Sequence, residues 1–199
     1  MPIPSLLLAA AIVTAGEPRL HVALAFPPES MLPPTVAAAA VQEAAAIWSR
    51  YRIVVDRTLP CASAPDEAIV LTVRTGRSRS SGPIDRPTAL GAINFDDDGT
   101  PYSLITIYVD LLRRSLVLSR LAEITEDRWP AEMRDLAIGR ALGRVLAHEI
   151  GHYLFGIRGH SPSGLMRAVQ PFSELFAPSG VGFLLTRTDE ERLSRSIGR

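Results

Sequence analysis

Hydrophobic and polar residues alternate along the first patterned part of the chain, between Arg19 and Phe26. Alternation with a period of two is typical of a β-strand with one buried face. Helical spacing follows in the alanine-rich residues 36–50, whose apolar positions are Val36, Ala40, Ala44, Ile47 and Tyr51. Thr35 is predicted as the N-cap of this helix. We expect the helix to lie against a sheet, because small alanine side chains permit a close approach.

Four more runs along the chain have the character of strands. Residues 51–56 and 68–75 are short and rich in β-branched side chains, and they predict the second and third strands. Residues 89–95 and 103–109 predict two more, and the Asp-Gly pair between them is typical of a hairpin turn. Together with the first helix, these runs predict an α+β fold with a mixed, twisted sheet of about five strands.

Two helices are predicted after the fifth strand. The first should be capped by Asp110 and extend to about Ala122, and the second is longer and has Pro130 in its first turn. Gly139 and Gly143 border the apolar stripe of the long helix, which predicts a close contact between helix and sheet. The stripe itself should pack on the sheet and consists of Leu142, Leu146, Ile150 and Tyr153.

The C-terminal part of the chain is less regular. Proline, glycine and serine punctuate residues 161–182, and Thr188–Glu191 then forms a capping box for a last helix that ends near Ile197. A chain of 199 residues suits one well-packed domain. We therefore predict a single domain over residues 17–199, divided into a part with the sheet and the long helix (17–156) and a C-terminal subdomain (157–199).

Composition and charge argue against several partners and suggest a location. The chain has 21 basic and 21 acidic side chains, so we expect no nucleic acid and no anionic membrane surface as a partner. Residues 1–16 contain an apolar run that ends in small residues, which predicts a signal peptide cleaved after Ala15 and an exported protein, secreted or periplasmic. The alternative is an N-terminal segment of a cytosolic protein, since the run is preceded by no Lys or Arg. No run is long enough to span a membrane, so we expect no stable membrane association. We also expect the protein to be a monomer.

The chemistry of the chain is concentrated in residues 148–166, which hold three of its four histidines. His148, Glu149 and His152 satisfy the motif H-E-x-x-H, and residues four apart lie on one face of a helix, so the two imidazoles can bind one metal ion. Cys61 is the only cysteine, so the ligands must be imidazoles or carboxylates. We therefore predict a zinc site that is flanked by Glu149.

The third ligand of this site has two candidates. Gly156 and Gly159 end the helix and let the chain return His160 to the metal, which makes His160 the favoured ligand. Glu174 is the nearest downstream carboxylate and is the alternative. His21 lies on a strand far away in the sequence and is predicted to be structural.

Three protein ligands and one open position are the arrangement of a hydrolytic zinc site. Neutral imidazoles leave the ion its full charge to acidify a water molecule, and Glu149 can take the proton and hand it to a leaving amine. The predicted function is therefore a zinc-dependent peptidase, an endopeptidase that acts on peptide or protein substrates. The alternative is a non-catalytic module that binds a peptide and keeps zinc for stability, although the sequence offers no obvious fourth ligand.

Residues 148–166 resemble the signature of the metzincin clan of zinc metalloproteases, H-E-x-x-H-x-x-G-x-x-H followed by a Met-turn. The first two histidines and the glutamate match in place, and Ser163–Met166 looks like the Met-turn. The resemblance implies a zincin-like fold, a zinc cofactor and peptidase activity. It also implies that the strand nearest the cleft, here about Leu90–Phe95, is an edge strand that binds the substrate in extended form.

The spacing departs from that signature at two positions. Phe155 stands where the signature has glycine, and Arg158 stands where it has the third histidine. Gly156 and His160 follow one and two residues later. The resemblance therefore predicts a metzincin-like site with a lengthened turn, in which His160 is the third ligand.

Overall fold

A computed structural model of the chain describes four stretches: residues 19–58, 68–78, 89–119 and 128–198. The predicted signal peptide and the loop that contains Cys61 lie outside the described residues, as does the predicted end of a helix at Ala122. Within the described stretches, no helix is long and apolar enough to cross a membrane.

Five strands form one mixed sheet: β1 (Leu20–Ala25), β2 (Ile53–Thr58), β3 (Ile69–Thr75), β4 (Gly91–Phe95) and β5 (Pro101–Ile107). Their order in space is β2-β1-β3-β5-β4, and all neighbours are parallel except β4, which runs antiparallel to β5 at one edge. The predicted α+β class and the mixed five-stranded sheet are thus confirmed. The predicted hairpin is confirmed as well, because Gly99 takes a φ of 83° and the Asp96 amide donates to the Thr100 carbonyl at 2.9 Å.

Five helices accompany the sheet in the described part of the chain: α1 (Pro34–Ser49), α2 (Val109–Ser119), α3 (Ala131–Phe155), α4 (Phe172–Phe176) and α5 (Arg187–Ile197). Helices α1 and α3 pack against the sheet and against each other. The predicted stripe of α3 lies in this core, where Leu142, Leu146 and Ile150 are each 0% exposed. Trp48 links the two helices, since its Nε1 donates to the Ala147 carbonyl at 3.2 Å.

Gly139 and Gly143 of α3 face α1 and not the sheet, so the prediction named the wrong partner. A Cβ atom at Gly139 would lie 2.5 Å from the Cβ atom of Ala39, and one at Gly143 would lie 2.5 Å from the carbonyl oxygen of Ala40. Both distances are shorter than van der Waals contact, so only glycine permits this approach. The small residues of α1 and α3 therefore permit a close contact between the two helices.

The starts of α1 and α2 lie two residues earlier than predicted. Helix α1 begins at Pro34 with Pro33 as its N-cap, and Thr35 donates from its hydroxyl to Asp135 on α3. Proline suits the first turn of a helix because its φ is already helical and it has no amide hydrogen to leave unpaired. Helix α2 begins at Val109, so Asp110 lies in its first turn and is not the cap.

The N-cap of the last helix, α5, is Thr186, two residues before the predicted cap Thr188. Its capping box is formed by Thr186 and Asp189: the Thr186 hydroxyl accepts from the Asp189 amide, and the Asp189 carboxylate accepts from the Thr186 amide. Asp189 is 0% exposed and also accepts from the hydroxyl of Ser161 at 2.7 Å. This buried contact selects the earlier capping pair and joins α5 to the segment that follows α3.

Candidate metal centre

Helix α3 and the segment after it bring three histidines together. His148 and His152 lie one turn apart near the end of α3, and His160 comes from the following segment. One ring nitrogen of each lies within 4.8 Å of the other two, and the Nε2 atoms of His148 and His152 are 3.0 Å apart. Nitrogens that share a tetrahedral zinc ion at about 2.0–2.1 Å are about 3.3 Å from each other. The three side chains can therefore bind one metal ion after small shifts.

Backbone carbonyls fix the orientation of two of the rings. His148 Nδ1 donates to the Leu165 carbonyl at 2.8 Å, and His152 Nδ1 donates to the Ile157 carbonyl at 2.8 Å. A carbonyl oxygen only accepts hydrogen bonds, so each Nδ1 carries the hydrogen and each Nε2 of a neutral ring presents a lone pair. Two lone pairs 3.0 Å apart repel each other unless a cation or a proton lies between them. This donor arrangement fits a metal ion, and a carbonyl behind a ligating imidazole is usual in metal sites.

The segment that carries His160 is held at both ends. Gly156 ends α3 with a left-handed φ of 62°, which lets the chain turn back. Just after His160, the Ser161 amide donates to the Met166 carbonyl at 2.8 Å, and the Ser161 hydroxyl donates to Asp189 at 2.7 Å. The exposed ring of His160 therefore stands on an anchored backbone.

Met166 packs against the part of α3 that carries the histidines. Its side chain is 0% exposed, and its Sδ lies so close to Gly151 that a Cβ atom there would overlap it. The preceding Gly164 takes a φ of 75°, and the Leu165 amide donates to the Leu184 carbonyl at 2.7 Å. The turn before Met166 thus places both the thioether below α3 and the Leu165 carbonyl behind His148.

Burial keeps the imidazoles of α3 neutral. It lowers the pKa of His148 to about 4, a shift that the Leu165 carbonyl opposes and the two neighbouring histidines increase. Burial likewise lowers the pKa of His152, against the effect of its bond to Ile157. Both rings are therefore uncharged at neutral pH, and this is the form that binds a metal ion.

Glu149 is the buried acid of the site. Its side chain lines the same cavity as the histidines, and the residue is 5% exposed. Burial raises the pKa of Glu149 from 4.5 to about 7, although a hydrogen bond from the Ile93 backbone lowers it in part. Strand β4 comes close at this point, because a Cβ atom at Gly91 would lie 3.0 Å from Glu149 Oε1 and 2.6 Å from Val145 Cγ1. A carboxyl group with such a pKa can take up and release a proton near neutral pH.

A cavity of about 700 Å³ contains all four predicted site residues. Residues 89–95, which include the whole of β4, line one side, and residues 167–172 line another. Within the described part of the chain β4 pairs with β5 alone, so its second edge borders this cavity without a strand partner. The predicted edge strand at the cleft is therefore present at residues 91–95.

The two other candidate ligands have different partners. Glu174, the alternative third ligand, accepts from Arg167 Nη2 at 2.6 Å and is not part of the histidine group. His21 Nε2 lies 2.7 Å from the carboxylate of Asp56 on the neighbouring strand β2, as expected of a structural histidine.

Several contributors to the site are absent from the sequence-based predictions. The carbonyls of Ile157 and Leu165 orient the imidazoles, and a backbone group leaves no signal in the residue type. Arg144 lines the cavity at 1% exposure, and its signal was a single charged residue in the apolar run 141–147. Arg167 also lines the cavity and follows Met166 directly.

Comparison of the chain with protein-family models and with curated proteins finds no match.

Proposed function

We propose that the protein is a zinc-dependent endopeptidase of the zincin type. One observation carries the proposal: in a single cavity, imidazoles with converging lone pairs adjoin a buried carboxyl group whose pKa is raised to about 7. Hydrolysis of a peptide bond at a metal centre needs both parts, since the metal acts on the carbonyl and a nearby base handles the proton.

Zinc is the metal that this donor set favours. Three neutral imidazoles leave one position of a tetrahedral ion open, which is typical of catalytic zinc sites and not of structural ones. His148, His152 and His160 would hold the ion. Bound there, zinc would polarise a substrate carbonyl and lower the pKa of a water molecule.

Glu149 is the residue that we assign to proton transfer. Its carboxylate can accept a proton from the attacking water and deliver it to the amine that leaves. Burial raises the pKa of this carboxyl to about 7 in the chain without a metal, and the charge of a bound zinc ion would favour the carboxylate form that acts as the base. The hydrogen bond from the Ile93 backbone holds this carboxylate against β4, beside the path of a peptide along that strand.

Strand β4 is the surface that we assign to the substrate backbone. A peptide that adds to a free strand edge gains main-chain hydrogen bonds with little dependence on its sequence. The five residues Gly91–Phe95 run along the cavity, so an extended peptide can continue on both sides of the bond that is cleaved. This arrangement suits an endopeptidase.

Two features support the zincin type in particular. The sheet ends in an antiparallel edge strand at the cleft, and Met166 packs against the histidine-bearing part of α3. Both correspond to what the metzincin resemblance implies. The lengthened turn is the departure from that signature, and it still returns His160 to the other two imidazoles.

A quenched mixed-peptide library tests the proposal. The purified protein should cleave the library, a chelator should abolish cleavage, and one equivalent of zinc should restore it. Mass spectrometry of the fragments should show cuts inside the peptides and not only at their ends. Tight zinc binding without any chelator-sensitive cleavage would contradict the proposal and favour a non-catalytic module that binds zinc and peptide.

A further inference from the structure

The charged side chains that line the cavity are mostly basic. Three arginines line it, Arg144, Arg158 and Arg167, and the one acidic residue in the lining is Glu149. A guanidinium group stays protonated at any pH at which the protein is folded. The lining therefore contains more basic than acidic side chains, in a protein whose formal net charge is zero.

The acidic groups that pair with two of these arginines do not line the cavity. Arg144 Nε donates to Glu43 at 2.7 Å, and Arg167 Nη2 donates to Glu174 at 2.6 Å, but neither glutamate is a cavity residue. Arg158 donates to the backbone carbonyl of Asp96 at 2.9 Å, which carries no net charge. The two glutamates thus lie outside the cavity lining, whereas the three arginines are part of it.

Two of these arginines have a buried nitrogen without a hydrogen-bond partner. Among the described residues, three buried side-chain polar atoms lack a partner, and they are Arg144 Nη2, Arg167 Nε and Asp110 Oδ1. Arg144 is 1% exposed and otherwise well bonded, through Glu43 and the carbonyls of residues 174 and 175. An unpaired buried donor is costly, and a charged one more so. Both arginines line the cavity, but the side chain of Arg144 is 0% exposed and that of Arg167 is 26% exposed, so Arg167 is the one that a ligand in the cavity can reach.

We propose that this cavity recognises a carboxylate of the substrate peptide through Arg167. A carboxylate is the acceptor that fits guanidinium donors best, because its two oxygens match their planar geometry. Other parts of the lining are apolar, formed by Val145, Phe172, Leu175 and Phe183, and can contact the methylene groups of an acidic residue. The inference rests on the proposed peptidase function, which it narrows to acidic peptides.

The carboxylate has two possible sources, an acidic side chain or the C-terminus of the peptide, and paired peptides separate them. One set exchanges Glu for Gln at each position in turn, and a second set carries either a free C-terminal carboxylate or an amide. Binding is measured by fluorescence anisotropy on the full-length Glu149→Gln protein, so that no peptide is cleaved. Each titration is repeated after chelator treatment, because a carboxylate that bound the metal itself would lose its advantage there.

The expected result is that at least one acidic peptide binds about tenfold more tightly than its neutral partner, with and without chelator. Arg167→Gln should reduce this preference to about twofold or less. Arg140→Gln removes a charge from α3, outside the cavity lining, and should leave the preference intact. Arg144 is a poor choice for substitution, since its bonds to α1 and α4 hold the fold together.

Equal binding of the acidic and neutral peptides, including the absence of binding by both, would overturn the inference. So would a preference that Arg167→Gln leaves unchanged. Cleavage by the wild-type protein is recorded on the same peptides. Cleavage without an acidic preference rejects this inference and keeps the peptidase, whereas an acidic binding preference without cleavage keeps the inference and rejects the peptidase.

Discussion

His148 and His152 direct their Nε2 atoms at each other across 3.0 Å, while their Nδ1 atoms donate to backbone carbonyls. The folded chain therefore holds two lone pairs in a repulsive arrangement, and a cation between them turns the repulsion into attraction. The carbonyls of Leu165 and Ile157 enforce this orientation, so it does not depend on the metal. The site is preorganised for an ion that the unfolded chain cannot bind in the same way.

Zinc should stabilise the protein through these two side chains. Free zinc at about 100 times its dissociation constant should raise the free energy of unfolding by about 2.7 kcal/mol. Thermal denaturation with and without zinc measures the effect, which His152→Ala should remove. His21→Ala is the matched control, because His21 pairs with Asp56 away from the metal centre, and it should keep the zinc-dependent increase. An equal increase in His152→Ala would contradict the assignment of this ligand.

His160→Ala should lower the zinc content from about one ion per chain to well below half, because two imidazoles hold zinc less tightly than three. Glu174→Ala should keep about one ion, because its carboxylate is engaged by Arg167. Elemental analysis of the two purified variants after dialysis separates these outcomes. Zinc loss in Glu174→Ala with retention in His160→Ala would reverse the assignment of the third ligand.

The elements of the fold were largely predictable from periodicity, and the contacts between them were not. Alternation in β1 and the helical stripe of α3 predicted each element with one buried face, and both elements are present. The burial is wider than predicted, because Ala23 and Ala25 on the second face of β1 are 1% and 8% exposed. The stripe does not say what the other faces touch. Gly139 and Gly143 therefore pointed to a close contact, but not to α1 as its partner.

The site was predictable where it depends on side-chain type and local spacing. His148 and His152 follow from the helical repeat, and His160 from the glycines that end the helix. The orientation of the rings depends on the carbonyls of Leu165 and Ile157, which any residue supplies. The basic lining of the cavity depends on the turn that folds residues 167–172 back over α3, and no local pattern encodes that return.

Gly91→Ala should impair catalysis without removing zinc. The new Cβ atom would lie 2.6 Å from Val145 Cγ1 and 3.0 Å from Glu149 Oε1, so β4 or the Glu149 carboxylate must move. Overpacking of this kind costs about 1–3 kcal/mol. Peptide cleavage should fall by about tenfold or more while zinc content stays the same. Gly180→Ala is a suitable control, since its Cβ atom meets nothing closer than 3.5 Å. Unimpaired cleavage by Gly91→Ala would show that β4 need not approach Glu149 so closely.

The metal-free protein should show the raised pKa of Glu149 as a pH-dependent loss of stability. The folded protein keeps this carboxyl protonated up to about pH 7, whereas the unfolded chain releases the proton near 4.5. The stabilisation is therefore complete below pH 4.5 and is lost as the pH rises through 7. Relative to Glu149→Gln, which does not titrate, the wild type should lose up to about 3 kcal/mol across this interval. Urea denaturation of both proteins at several pH values measures it, and a constant difference between them would refute the shift.

The central claim is that Glu149 acts as the base beside a zinc ion held by the three histidines. Parallel measurement of zinc content and peptide cleavage in Glu149→Gln tests it most directly, with Glu132→Gln on the exposed first turn of the same helix as the control. We predict that Glu149→Gln keeps about one zinc ion per chain and loses cleavage by about a thousandfold or more, while Glu132→Gln keeps both. A Glu149→Gln protein that still cleaves peptides at the wild-type rate would contradict the claim.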